Sequence, residues 1–393
     1  MDRIPEHCDI AVVGGGPSGA LAALRFAAAG RRVVLVEARA RAAVPRDARA
    51  LALSWDSRAQ LAAVGGWSDE LPCTVIDRVH VSRQGGWGRT VIDREDVGLP
   101  HLGLVVDYPQ LVLGLERRLL EAGVTVLWGT RVTRVQPLAA YSVLTLEGGA
   151  APGMLTCRLA VLAEGGALTA SLPGVRRLQH DYHQCAVLAH LETGTPPTGV
   201  AYERFAAAGP LALLPHGAGF MLVWTRTPAD AERLLAASDE AVIAELQQAL
   251  GARIGPILGI SPRTVFPLKL SEASPIVATR TALIGNAAQT MHPVAAQGLN
   301  LGLRDAVALS AALADCADPG DARALAAYAR SRKRDSLAVV GFTHGLVALF
   351  DGPRHPVFDR ACGLGMVALD TIGPWRRRFA RHLVFGVGNG ARR

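Results

Sequence analysis

The chain of 393 residues is half hydrophobic and only 19% charged, with 42 glycines and 23 prolines. That composition excludes wholesale disorder and fits an α/β protein of many short turns better than a helical bundle. Its 41 Lys and Arg against 34 Asp and Glu give a formal charge of +7, which reads as a basic soluble surface or as attraction to an anionic membrane face or acidic partner; with only 5% aromatic residues and no basic-aromatic module, nucleic acid is excluded as a partner.

Asp9–Val13 reads as a short strand, followed by a glycine loop and a helix over 18–29 that Gly30 stops. Val33–Val36 is a second strand ending at Glu37, which completes a β-α-β unit. Residues 50–64 read as a helix closed by Gly65 and Gly66, and the alternation from Val75 to Val91 predicts hairpin strands. Leu111–Glu121 is helical, while 124–127 and 132–135 return as strands to the first sheet. A hairpin over 142–146 and 154–162 ends in Ala163-Glu164-Gly165. Strand-like runs follow at 185–191, 199–205 and 220–224, then helical spacing over 232–250. Thr281–Ile284 is a strand, 285–300 a distinctive loop and 301–314 a helix; from about 321 the chain is mostly helical.

The six cysteines (Cys8, Cys73, Cys157, Cys185, Cys316 and Cys362) are scattered without a Cys-x-x-Cys pair. This argues against a metal site or a disulfide framework and for a reducing, cytoplasmic compartment. The acidic start, Met1–Asp9, lacks the basic and apolar regions of a signal peptide. The apolar stretch Val339–Phe350 contains His344 and is shorter than the ~20 residues a bilayer span needs. The expectation is a soluble protein, at most peripheral at the inner membrane face.

Two segments carry chemistry. Gly14-Gly15-Gly16-Pro17-Ser18-Gly19 is a G-x-G-x-x-G between a strand and a helix. Gly14 permits the tight turn, Gly16 lets backbone approach a diphosphate, and Gly19 allows close helix–strand packing. The free N–H groups of the helix start would meet the phosphates, and Glu37 is placed to accept bonds from an adenosine ribose. The loop Gly285–Asn300, GNAAQTMHPVAAQGLN, also joins a strand to a helix. Its amides can converge on an anion or a ring edge. Asn286 can bond a hydroxyl, Pro293 stiffens the approach, and Gly298 admits a flat ligand.

These residues resemble the flavin-dependent aromatic hydroxylases of the para-hydroxybenzoate hydroxylase type, within them the 2-polyprenyl-6-methoxyphenol hydroxylase branch of ubiquinone biosynthesis. The resemblance spans nearly the whole chain. It rests on Gly14–Gly19, Asp47-x-Arg49-Ala50, Gly88-Arg89-Thr90, Tyr202–Phe205 with Gly209–Pro215, Gly285–Thr290, His292-Pro293 and Gln297–Asp305. The wider superfamily has Gly-Asp and Ala-His where this chain has Gly285-Asn286 and Ala288-Gln289; it has Ala-Asp-Gly for Ala163-Glu164-Gly165 and Val-Val-Glu for Val105-Val106-Asp107. The last two changes leave open whether Glu164 and Asp107 keep the family roles.

The resemblance implies an α/β fold: a Rossmann-type FAD-binding domain (1–74, 99–178 and 268–320) interleaved with a β-sheet substrate domain (75–98 and 179–267), and a C-terminal helical region (321–393). Gly14, Gly16 and Gly19 would hold the FAD diphosphate, Glu37 its ribose, and Asn286 the ribityl-diphosphate region. Gly165 and Gly285 would join this cofactor set. Arg49 would lie near the flavin, or be an ordinary surface arginine. Gly298, Leu299 and Asn300 would present backbone to the ring system, with Pro293 at the edge where ring meets substrate. Tyr202, Phe205 and Pro215 would face the flavin from the substrate sheet, or be ordinary sheet core.

The implied reaction is hydroxylation of a polyprenyl phenol with dioxygen through a flavin hydroperoxide, NADPH or NADH being the transient donor. No protein acid, base or metal is assigned to it. Other ubiquinone-biosynthesis proteins are implied partners. The segment Trp375–Phe385 reads as a helix capping the core or as a seat on an anionic surface. Two other readings stay open: an isoprenoid-reducing flavoprotein of the same fold, and a non-catalytic flavin-binding subunit.

Overall fold

A computed structural model describes residues 6–386 except 42, 44–48, 87, 150–152, 207–208, 294–295 and 351–355, with backbone only at 346–350 and 356–362. Asp47 and the first five residues therefore lie outside the described residues. The chain is a mixed α/β protein with parallel and antiparallel sheets and a helical C-terminal region.

The first sheet grows from His7–Val13, which pairs in parallel with Val33–Glu37 on one side and Met154–Leu162 on the other. Thr125–Trp128 and Thr281–Leu283 extend it in parallel at the two flanks. Helix Pro17–Ala28 packs on one face with Tyr108–Glu121 and Gly298–Ala312. The other face is covered through the hairpin strands Arg131–Pro137 and Ser142–Glu147. Strands buried on both faces read as apolar runs, and the IAVV and VVLV sequences are of this kind.

The second sheet holds nine strands, among them Arg78–Arg83, Arg89–Asp93, Arg176–Thr193, Val200–Ala206, Gly209–His216, Gly219–Arg226 and Thr264–Ser274. Helices Pro228–Ala236 and Asp239–Leu250 cover one face around Trp224, Leu211 and Leu246. Ser238 separates the two by capping the second, its hydroxyl accepting from the Ala241 N–H. The opposite face looks toward the first sheet's ligand side.

Three local readings change, one being the helical run over 232–250, which is the end of Pro228–Ala236 and the separate helix Asp239–Leu250. Residues 50–64 are not one helix: Ala50–Ser54 is a strand antiparallel to Gly103–Asp107, and the helix begins at Trp55. Ser54 marks the switch, because its hydroxyl accepts from the Ser57 N–H as an N-cap. Cys73–Ile76 joins these two strands in a small third sheet, so Val75 and Ile76 do not begin the Arg78–Asp93 hairpin. Among the described residues no helix is long and apolar enough to cross a membrane.

Candidate functional site

A cavity of about 670 Å³ opens where the first loop, the second loop and the free face of the nine-stranded sheet converge. Its first wall is the glycine loop. Gly14 has φ +103°, and a Cβ there would lie 2.8 Å from the Ala163 carbonyl. A Cβ on Gly19 would lie 2.0 Å from the Gly14 oxygen. Both positions therefore demand glycine for packing. Gly16 differs: a Cβ there would meet only the Tyr108 hydroxyl, at 3.7 Å, so this glycine faces space. It is also the N-cap of helix Pro17–Ala28, and no side chain caps that end. The free N–H groups and the positive end of the helix dipole thus point to the cavity. Glu37 accepts from the Gly15 N–H through one carboxylate oxygen and from the Arg39 N–H, at 2.8 Å, through the other. Each oxygen keeps a lone pair for a ligand hydroxyl.

The second wall is the loop after Leu283. Gly285 and Asn286 line the cavity with Gly165, and Arg177 latches these turns together. It donates to the Gly166 carbonyl at 3.0 Å and the Asn286 carbonyl at 3.1 Å. Behind the loop, Asp305 accepts from the Gly285 N–H (3.0 Å), the Gln289 amide (2.9 Å) and Arg332 (2.6 Å). Arg332 and Arg304 both reach Asp335, and all four charged groups are buried. Burial works against the Arg332 charge, but Asp305 and Asp335 outweigh it and hold the guanidinium protonated. Arg177, Arg332 and Asp335 were invisible as site residues in the sequence, because their partners lie far along the chain.

The third wall comes from the sheet and is apolar: Ala186, Leu188, Leu214, Met221, Val223, Phe266 and Leu268. Arg49 lines the cavity with its guanidinium 5.2 Å from the Phe266 ring centre. Pro293, Gly298 and Leu299 complete the lining. His292 beside them is fully buried, and burial pushes its imidazole down to about 4, so it is neutral. Past Pro293 and Ala296 lies a second cavity of about 140 Å³. Ala52, Leu214, Val223, Pro293 and Ala296 border both spaces. Its walls include Ile76, Val79, Ile92 and Leu102, and the C-terminal helix Gly373–Phe385 contributes Ala380, Leu383 and Val384.

Several expected positions lie elsewhere. Tyr202 borders the second cavity, but its ring turns to the helix-covered face, 5.8 Å from His80 and 6.1 Å from Phe220 between ring centres. Pro215 pairs with Phe220 and lines neither cavity. The reason for Pro215 is the two-residue period of a strand: Ala212 and Leu214 of the same strand occupy the cavity face, and Pro215 between them and the turn does not. Phe205 is buried farther along and lines neither space. Asn300 borders only the second cavity, and its side chain serves the scaffold. Its amide donates to the Ala52 and Ala296 carbonyls and its oxygen accepts from the Ser54 N–H. Gly19 supports the loop from behind. Glu164 lines the cavity, yet its carboxylate accepts from the N–H groups of Gly166 (3.0 Å) and Ala167 (2.8 Å) of its own turn. Asp107 sits 3.1 Å from His216 and outside the cavity lining. Leu188, Met221, Val223 and Phe266 were missed; strand alternation was the signal for them.

This architecture fits a long dinucleotide carrying a flat ring: an uncapped helix start for the diphosphate, a carboxylate for a ribose, and glycines that give onto open space. A Cβ on Gly165 would meet nothing within 4 Å. The chain's residues 7–343 match the family described as FAD binding domain. The chain belongs to this family. As a member of the FAD-binding family it is an FAD-dependent hydroxylase by kinship: it is 32% identical over 403 residues to the ubiquinone hydroxylase UbiL of Rhodospirillum rubrum, covering 95% of this chain and 89% of the relative. It is 27% identical over 391 residues to the 3-demethoxyubiquinol 3-hydroxylase of Escherichia coli, covering 96% and 98%. The p-nitrophenol 4-monooxygenase PnpA of Pseudomonas putida shares the fold with a TM-score of 0.80 at 17% identity, over 98% of this chain and all of that one.

Proposed function

We propose that this FAD-binding protein hydroxylates the ring of a polyprenyl phenol, of the 2-polyprenyl-6-methoxyphenol kind, in ubiquinone biosynthesis. Dioxygen is the oxidant and NADPH or NADH the donor. The observation that carries this reading is the border at Pro293, where the apolar wall of the first cavity and a second apolar cavity share Ala52, Leu214, Val223, Pro293 and Ala296. A substrate with an aromatic head and a hydrocarbon tail matches both, and the names of the hydroxylase relatives support the same class.

FAD, when bound, supplies the activation of dioxygen. The chain's own residues would do the rest. Gly14, Gly16 and the helix start would hold the diphosphate, and Glu37 the ribose. Asn286, Gly165 and Gly285 would border the middle of the cofactor, and Gly298 and Leu299 would bring backbone to the ring. Leu188, Leu214, Met221, Val223 and Phe266 would orient the phenol and exclude water, the main protein contribution to such chemistry. A neutral His292 keeps positive charge away from the ring edge.

The test uses the flavin-loaded protein with a prenyl phenol, NADPH or NADH, and isotopically labelled dioxygen. The expected product carries one labelled oxygen atom on the ring by mass spectrometry. Saturation of the side chain without oxygen uptake would replace this reading with isoprenoid reduction. No donor consumption with any phenol would leave a flavin-binding subunit.

A further inference from the structure

The C-terminal helix Gly373–Phe385 has two unlike faces. Inward, Ala380, Leu383 and Val384 wall the second cavity, and Arg376 is held by Asp96 at 2.9 and 3.0 Å. Outward stand Trp375, Arg377, Arg378 and Arg381, all exposed, Trp375 by 60%. The helix contains no acidic residue. Immediately before it, Ile372 is 38% exposed, and Leu364 on helix Pro356–Thr371 is 59% exposed. The C-terminal helix and the residues leading into it thus expose large apolar side chains and three arginines without an acidic residue in the helix.

Beside the preceding helix lies a second basic surface, whose arginines come from the substrate-side sheet and the loop after helix Asp239–Leu250. Val367 and Asp370 of the preceding helix border an open cleft of about 680 Å³ that also holds Arg83, Arg89 and Arg253. Asp370, the one carboxylate there among the described residues, accepts from the Val91 N–H at 2.8 Å. Burial first, then the charges of Arg253 and Arg89, lower the proton affinity of His80 in this cleft, as a positive field requires.

We propose that the outer surface of this helix pair seats the protein on an anionic lipid bilayer. Aromatic and aliphatic side chains flanked by arginines are what an interfacial helix presents to headgroups. Cationic groups held near the surface draw it to acidic lipid. The seating stands independently of the hydroxylase reading. If both hold, the helix that touches lipid is also the wall of the apolar cavity, which gives a hydrocarbon-tailed substrate a short route from bilayer to site.

The experiment is co-sedimentation of the full-length, flavin-loaded protein with vesicles of phosphatidylcholine alone or mixed with phosphatidylglycerol. Binding is expected only to the mixed vesicles, with release at high salt. R377Q/R378Q/R381Q should lower the partition coefficient on the order of 100-fold, with flavin content and thermal unfolding unchanged. W375A should weaken binding by a smaller factor. R131Q/R134Q, which removes two exposed arginines from the first sheet's hairpin, should bind like the parent. Equal binding to neutral vesicles, no loss in the triple variant, or an equal loss in the hairpin variant would each overturn the proposal.

Discussion

Gly14 and Gly16 stand two residues apart in the same turn and do different work. At Gly14 the backbone is left-handed and the Ala163 carbonyl fills the place of a side chain. Gly14→Ala should therefore destabilise even the flavin-free protein by about 2 kcal/mol or more. Gly16 has extended backbone, and space lies where its Cβ would be. Gly16→Val should leave the apoprotein's thermal unfolding nearly unchanged while abolishing flavin uptake, read by visible absorbance. His292 supplies a pH signature. Its folded value, about 4, is depressed below the ordinary 6.5 by burial, so the unfolded chain takes up a proton that the native one refuses. Stability should be unaffected by this group above pH 6.5 and fall by about 3 kcal/mol as the pH drops to 4. Denaturant midpoints across that window should show the acid limb in the parent and a flatter one in His292→Gln.

At the scale of elements, what the sequence revealed depended on how local the cause was. The strand, glycine turn, helix and acid of residues 9–37 were legible because each signal sits beside its consequence. Helix starts marked by a hydroxyl, at Ser54 and Ser238, were merged into longer helices because apolar spacing ran on through them. Strands of the nine-stranded sheet were legible at 185–191, 199–205 and 220–224, but the phase of Gly209–His216 was not: one residue of slip exchanges Leu214 for Pro215. Arg177 could not be read at all, since it acts through loops at 166 and 286. The C-terminal helix offers a direct test of the second cavity. Leu383→Trp should fill that space and raise KM for long-tailed phenols at least tenfold, while a tail-less phenol keeps its KM.

The whole molecule is tied by charge at its centre and braced by a long strand pair of the nine-stranded sheet. Asp305, Arg332, Asp335 and Arg304 tie the loop after Leu283 to helices Gly298–Ala312 and Ala322–Phe350. The turn at Gly386 packs on the same group, since a Cβ there would lie 2.7 Å from Asp335. Arg332→Met should cost about 3–5 kcal/mol in denaturant unfolding by leaving buried carboxylates uncompensated. Adding Asp305→Asn should recover part of that loss. The strand Arg176–Thr193 runs 18 residues within the nine-stranded sheet; it begins beside the loops at 166 and 286, shifts register against Thr264–Ser274 between Asp181 and Gln184, and ends against Ile257–Ile260. With Thr264–Ser274 paired along it and Arg177 bonded to the loops at 166 and 286, this strand braces the sheet against the cofactor site. Catalytic traffic must then pass through side portals while the frame stays rigid, so cofactor exchange should be slow beside turnover and crosslinking the sheet to those loops should leave the rate intact.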